Sequence, residues 1–200
     1  MFIGVKRKPL QNEGQDPCIC LELKDKIYCF KLFSELKYAC MKQEIKVILG
    51  TGLSGGYGSS NYEKTTRAGF ELDSNNYSGP EGKYHDEWAA HQNGGGQELV
   101  ETPNGEKATR VYAGGSLDPE ALKKLGLTED GVSTELKYFL KTLGAKTRLD
   151  ENIELEHGKY KYSYRVIKNV EEIPVKVGEE EIRYDESLVF VHYHINSPVV

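Results

Sequence analysis

The stretch from Tyr77 to Leu117 constrains the fold of this chain more than any other. It reads YSGPEGKYHDEW, then GGGQELVE, then NGEKATRVYAGGSL. Glycine turns separate short aromatic and β-branched runs, the pattern of antiparallel strands joined by tight connections. A fainter version returns near the C-terminus as GKYKYSY, VGEEEIRY and LVFVHYHI. Gly82-Lys83-Tyr84 matches Gly158-Lys159-Tyr160, Gly95 with Glu98 corresponds to Gly178 with Glu181, and Val111-Tyr112 corresponds to His192-Tyr193. The echo fits an internal duplication of about 62–117 and 153–198. It fits a chance likeness of two Tyr-rich meanders equally well.

Between the two stretches lie the clearest helices. Asp118 is an N-cap with Pro119 in the first turn, and Gly126 ends that helix. Thr128 caps a second helix that runs to Leu143 and stops at Gly144. Val132, Leu136, Phe139, Leu140 and Leu143 form one apolar stripe at helical spacing. Strands are expected at 83–88, 97–101 and 108–113, with a further one at 69–73. The C-terminal third adds the alternating Tyr160-to-Ile167 strand, then Ile173–Val177, Glu181–Tyr184 and Leu188–Ile195. Strands, helix pair, strands is an α+β order. The predicted fold is two Tyr-rich antiparallel β units flanking a helical hairpin around 118–144. A hairpin and a helix precede them.

Residues 1–40 read as a separate N-terminal extension or hairpin, and 41–200 as the α+β domain. The first 40 residues hold Cys18, Cys20, Cys29 and Cys40 and carry +2, against −7 for the remainder. Cys18–Leu23 and Lys26–Phe33 read as two strands joined at Lys24-Asp25. The cysteine gaps do not match paired zinc knuckles, so buried thiols are expected. Ser34 to Leu49 reads as a helix capped by Ser34 and stopped by Gly50, in competition with a strand over Ile45–Leu49. Gly50 to Ser60 reads as a glycine-rich loop.

The net charge of −5 and the absence of a basic stripe argue against a nucleic-acid partner. No apolar run approaches the ~20 residues that span a bilayer. The reading is a soluble, cytoplasmic protein with an unknown protein or small-molecule partner, open to homodimerisation. The 13 tyrosines against 6 phenylalanines suit half-buried sheet surfaces, with the ring packed and the hydroxyl wet.

Tyr77-Ser78-Gly79-Pro80, Tyr84, Trp88, Gly96-Gln97-Glu98-Leu99 and Tyr112-Ala113-Gly114-Gly115 together resemble a small uncharacterised prokaryotic domain family. That family's pattern is an aromatic before Gly-Pro, aromatic strand residues, Gly-x-Glu with an aliphatic, and a closing Tyr-x-Gly-Gly. The resemblance covers about a fifth of the chain and departs from the pattern at HQNGGGQ. It implies a fold unit and no particular chemistry.

Three groups could carry chemistry. Gly50-Thr51-Gly52-Leu53-Ser54-Gly55 matches GxGxxG, but no βαβ unit can be drawn around it, so no dinucleotide cofactor is expected. His192 and His194 fall on one face of the last strand and are candidate metal ligands, for zinc or another divalent ion, with His85, Asp86, Glu87, His91 or His157 as a third. His85 and Glu87 share a strand face and are the candidate acid–base pair. Glu179-Glu180-Glu181 reads as a solvated strand entrance. No complete catalytic motif occurs. The leading expectation is a binding or interaction domain without catalysis. The alternative is a metal-assisted hydrolase using His192 and His194.

Overall fold

A computed structural model describes residues 18–23, 26–31, 42–89, 92–170 and 173–199. The chain divides into two compact units, 1–40 and 41–200. In the first, β1 (Cys18–Leu23) and β2 (Lys26–Lys31) pair antiparallel, with Cys20 opposite Cys29.

The second unit contains one antiparallel sheet of nine strands. β3 (Glu63–Arg67), β4 (Phe70–Gly79), β5 (Gly82–Trp88), β6 (Asn93–Glu101) and β7 (Lys107–Ser116) form one meander. β8 (Ile153–His157), β9 (Tyr160–Val170), β10 (Val175–Tyr184) and β11 (Ser187–Val199) form the other. They join through a β7–β11 ladder, giving the order β3-β4-β5-β6-β7-β11-β10-β9-β8. The expected pair of β units is therefore a single continuous sheet. The segments expected as separate strands at 173–177 and 181–184 form one strand, β10. Gly178 carries β10 through a register shift against β9, so the run does not break there.

Both helices between the meanders form where their caps predict. The Asp118 side chain accepts from the Ala121 amide at the start of α2 (Pro119–Lys124), and Thr128 accepts from Gly131 at the start of α3 (Glu129–Leu143). Val132, Leu136, Phe139 and Leu140 are buried against Tyr162, Tyr164, Ile182, Val189 and Phe190 of the second meander.

The preceding helix differs from expectation. α1 spans Gln43–Gly55, so Gly50 does not stop it, GTGLSG is helical rather than loop, and Ile45–Leu49 is not a strand. The Ser34 cap and residues up to 41 lie outside the described residues. Ile45, Ile48, Leu49 and Leu53 recur at helical spacing and are buried. Ile45, Ile48 and Leu49 pack on Tyr84, Val100 and Ala108 of the first meander. The glycines serve close approach. A Cβ at Gly50 would lie 2.6 Å from the Ala145 backbone, and one at Gly52 would run into the Tyr84 ring. Tertiary contact outweighs the ~1 kcal/mol helix penalty of each glycine.

All three helices thus cover one face of the sheet. On the other face Leu99, Val111, Tyr193 and Ile195 are exposed. Among the described residues no helix is long and apolar enough to cross a membrane.

Candidate functional site

The helix-covered face carries an unusual load of charge. Glu98, Arg110, Arg148, Glu180 and His194 are all buried, each at most 3% exposed. The two meanders arrange this charge in parallel ways. On β6, Gly96, Glu98 and Val100 face the helices. On β10, Gly178, Glu180 and Ile182 do the same. Glu98 stands opposite Asp86 on β5 and Arg110 on β7. Glu180 stands opposite Tyr164 on β9 and His192 on β11. Tyr84 donates to Glu98 Oε1 at 2.7 Å, and Tyr162 donates to Glu180 Oε1 at 2.7 Å. The glycine two residues before each glutamate leaves space for a tyrosine hydroxyl: Tyr112 over Gly96 and Tyr164 over Gly178.

The partners of the two glutamates differ. Glu98 is held by Arg110 through both Nε and Nη2. Glu180 faces a histidine where Glu98 faces an arginine, and its guanidinium comes from Arg148, in the irregular segment after α3. Arg148 Nε and Nη2 donate to Glu180 Oε1 and Oε2, each at 2.8 Å. Arg148 has a left-handed backbone (φ 61°), which a non-glycine residue keeps only when its surroundings dictate it. Those surroundings are visible: Arg110 Nη1 and Asn196 Nδ2 both donate to the Arg148 carbonyl. Burial opposes the charge on both glutamates, but the guanidinium beside each outweighs it. Glu98 is held below the usual carboxylate range and Glu180 well below it.

Asp86 goes the other way. Burial, and then the charge of Glu98, push its carboxyl well above the usual range, although Tyr112 donates to Oδ1 at 3.0 Å. Tyr112 is itself raised, by burial and by Asp86. Asp86 and the neighbouring Glu98 are thus shifted in opposite directions, the separation of titrating groups that recurs at functional sites.

His192 and His194 converge on Glu180. His194 Nε2 lies 3.3 Å from Glu180 Oε2, and His192 Nδ1 lies 3.7 Å from the same oxygen. Burial pushes His192 down to about 3 and His194 down to about 4, against the opposing pull of Glu180. Both rings are neutral at pH 7, so these contacts are not ion pairs. Donor atoms of Glu180, His192 and His194 all lie within 4.8 Å of one another. Neutral imidazoles with a carboxylate are a donor set suited to zinc. A metal here would share Glu180 with the Arg148 guanidinium.

Beside this network lies a cavity of about 330 Å³. Its lining includes Asp86, Tyr112, His192 and Arg148, the rings of Tyr57, Tyr62 and Trp88, and Ser133 and Lys137 of α3. Ser116 Oγ, which also belongs to this lining, is buried without a hydrogen-bond partner among the described residues.

The structure brings the candidate metal ligands His192 and His194 together. Their third neighbour is Glu180, not His85, Asp86, Glu87 or His157. His91 lies outside the described residues. Glu180 is fully buried, so the Glu179–Glu181 run is not a solvated entrance. Glu179 and Glu181 alternate to the open face, where Arg165 contacts both. His85 and Glu87 also occupy that open face. His85 Nδ1 meets Asn76 at 2.7 Å, and Glu87 pairs with Arg67 at 2.6 Å. Asp86, between them, points to the cavity. His157 pairs with Glu135 at 2.8 Å. A signal for Glu180 was present in the sequence as a second Gly-x-Glu, Gly178-Glu179-Glu180. Matching Gly178 to Glu181 shifts the register by one and sends the wrong carboxylate inward. Arg148 has no local signal.

Comparison with protein-family models, curated proteins and solved structures finds no match for this chain.

Proposed function

We propose that residues 41–200 form a small-molecule-binding domain whose ligand occupies the cavity lined by Trp88, Asp86, Tyr112 and His192. The observation that carries this reading is the lining itself. It combines aromatic rings with a few buried polar groups, as ligand pockets do. The motif residues behind the family resemblance support it, since Trp88 and Tyr112 line the cavity and Gly96 makes room for Tyr112. The shared registers of the two meanders support reading them as copies of one unit. α3 packs on Tyr162 and Tyr164 of the second meander and α1 on Tyr84 of the first, and the cavity draws its lining from both meanders and from α3. The reading carries a cytoplasmic location and no nucleic-acid partner.

Trp88 is the single tryptophan of the chain, so intrinsic emission reports on this cavity directly. A small-molecule panel should contain compounds that change Trp88 emission saturably, and Tyr62→Leu should weaken them. A panel that leaves emission unchanged refutes the reading.

One observation favours a second reading, metal-assisted hydrolysis: the convergence of Glu180, His192 and His194 beside the cavity. Such an enzyme would hold the metal on these three side chains, and the metal would activate a water for attack. Elemental analysis of the purified chain, with His194→Ala as the control, tests it.

A further inference from the structure

Three aromatic rings of the lining form a cluster. Tyr57 meets Trp88 edge-on at 5.8 Å and 85°, and Tyr62 meets it at 5.3 Å and 70°. Aromatic rings attract an organic ammonium group to their faces. One ring of the cluster already does so within the chain, since Lys137 Nζ lies 5.2 Å from the Tyr57 centroid.

The charge of the lining agrees. Its acidic side chains are Asp73, Asp86, Glu129 and Asp130, and its basic ones are Lys137 and Arg148. Arg148 is neutralised by Glu180 and Asp73 by Lys64 at 2.7 Å. Among the described residues no ion pair engages Asp86, Glu129 or Asp130. Asp86 lies two residues before Trp88 on β5, so the two share a face and are close neighbours along it.

We infer that the ligand is a small organic cation, its ammonium group seated against Trp88 and Tyr62 and charge-matched by the Asp86 carboxylate. This rests on the cavity being a ligand site and names the class it takes.

Asp86 is surrounded by Glu98 from β6, Arg110 and Tyr112 from β7, and Arg148. Asp73, His192, Glu129, Asp130 and Lys137 line the same cavity. Burial and the charge of Glu98 raise the proton affinity of its carboxyl. An arriving ammonium group favours the carboxylate, so the Asp86 O–H bond breaks and the proton passes to solvent as the complex forms. Cation affinity therefore rises with pH. A neutral ligand that accepts a hydrogen bond from the protonated acid would show the opposite trend.

The test is titration of the full chain, followed by Trp88 emission. The cations are choline, tetramethylammonium and putrescine. Against them stand 3,3-dimethylbutan-1-ol (the uncharged isostere of choline), glucose and citrate. At least one cation should bind, and for choline the isostere should be about tenfold weaker or worse. Affinity should rise with pH. Asp86→Asn should abolish that rise and weaken the cation about tenfold. Calorimetry in two buffers of different ionisation enthalpy should show proton release with the wild type and none with Asp86→Asn. If glucose or citrate shifts Trp88 emission and no cation does, the class is wrong and the binding domain stands. If no compound in any class acts, both fall.

Discussion

Tyr112 and His194 stand directly opposite each other in the β7–β11 ladder, with ring centroids 5.8 Å apart. Each also holds the same place in its own meander, Tyr112 opposite Gly96 and His194 opposite Gly178. The pair therefore stands at the junction of the two meanders, with the Glu98 network on one side and the Glu180 network on the other. The arginine of the first comes from its own strand, whereas that of the second, Arg148, comes from the segment after α3. That placement brings Arg148 to the cavity lining.

Removal of Arg148 should be severe. Arg148→Met leaves Glu180 charged and buried, which costs about 3–5 kcal/mol for pairs of this kind. Adding Glu180→Leu should recover a substantial part, because the stranded charge is then gone. Urea denaturation of the two single variants and the double variant measures this. A double variant as unstable as the sum of the singles would show that the two residues act independently.

The glycines of α1 should respond with opposite signs. Gly55 has open space at its Cβ position, so Gly55→Ala should be neutral or stabilise by up to about 1 kcal/mol. Gly52→Ala drives a methyl into the Tyr84 ring and should destabilise by about 1–3 kcal/mol. Thermal melts of both variants check the prediction, and equal shifts would contradict the packing of α1 on β5.

Acid should loosen the fold in two stages. His192 and His194 have folded values lowered to about 3 and about 4. The unfolded chain, titrating near 6.5, takes up their protons first as pH falls. Stability is then lost from about pH 6.5 downward, before the carboxylates titrate. Glu180, depressed by Arg148, contributes stability that persists above the unfolded carboxylate value and goes as pH falls through its lower folded value. His194→Gln should flatten the upper stage, read as the melting temperature at pH 5 against pH 7.

Asp86 gives the reverse slope. Its folded value is raised, so the folded state holds a proton that the unfolded chain has lost above about pH 4. Stability contributed by this group falls as pH rises from there toward the folded value. Asp86→Asn keeps the shape without the charge and should raise the melting temperature at pH 8 more than at pH 5. The same variant should weaken cation binding, a trade of stability against function.

Cobalt separates the two readings of the histidines. If Glu180, His192 and His194 ligate a metal, cobalt(II) should give visible d–d bands and compete with zinc. His194→Ala should weaken it about tenfold or more. If Arg148 keeps Glu180 to itself, wild type and variant should both remain colourless.

Local chemistry was legible in the sequence. Asp118 and Thr128 fixed where α2 and α3 begin, because a cap acts within three residues of itself. The alternation of Tyr160, Tyr162 and Tyr164 gave β9 and its buried face, and that of His192 and His194 put both rings on one side of β11. Turn glycines placed most of the strands. The tertiary structure decided what these elements meet. It joined two meanders into one sheet through a β7–β11 pairing that no turn dictates. It made GTGLSG helical, because burial of Ile45, Ile48 and Leu49 on the first meander favours the helix and the glycines let it approach the Tyr84 ring and the Ala145 backbone. It turned Asp86 inward and left His85 and Glu87 outside, a choice set by which face the helices cover. It brought Arg148 to Glu180 across 32 positions of sequence. Caps and alternation act over a few residues and are written locally. Burial, ion pairing and the values of Asp86, His192 and His194 depend on surroundings that exist only when distant segments close over them.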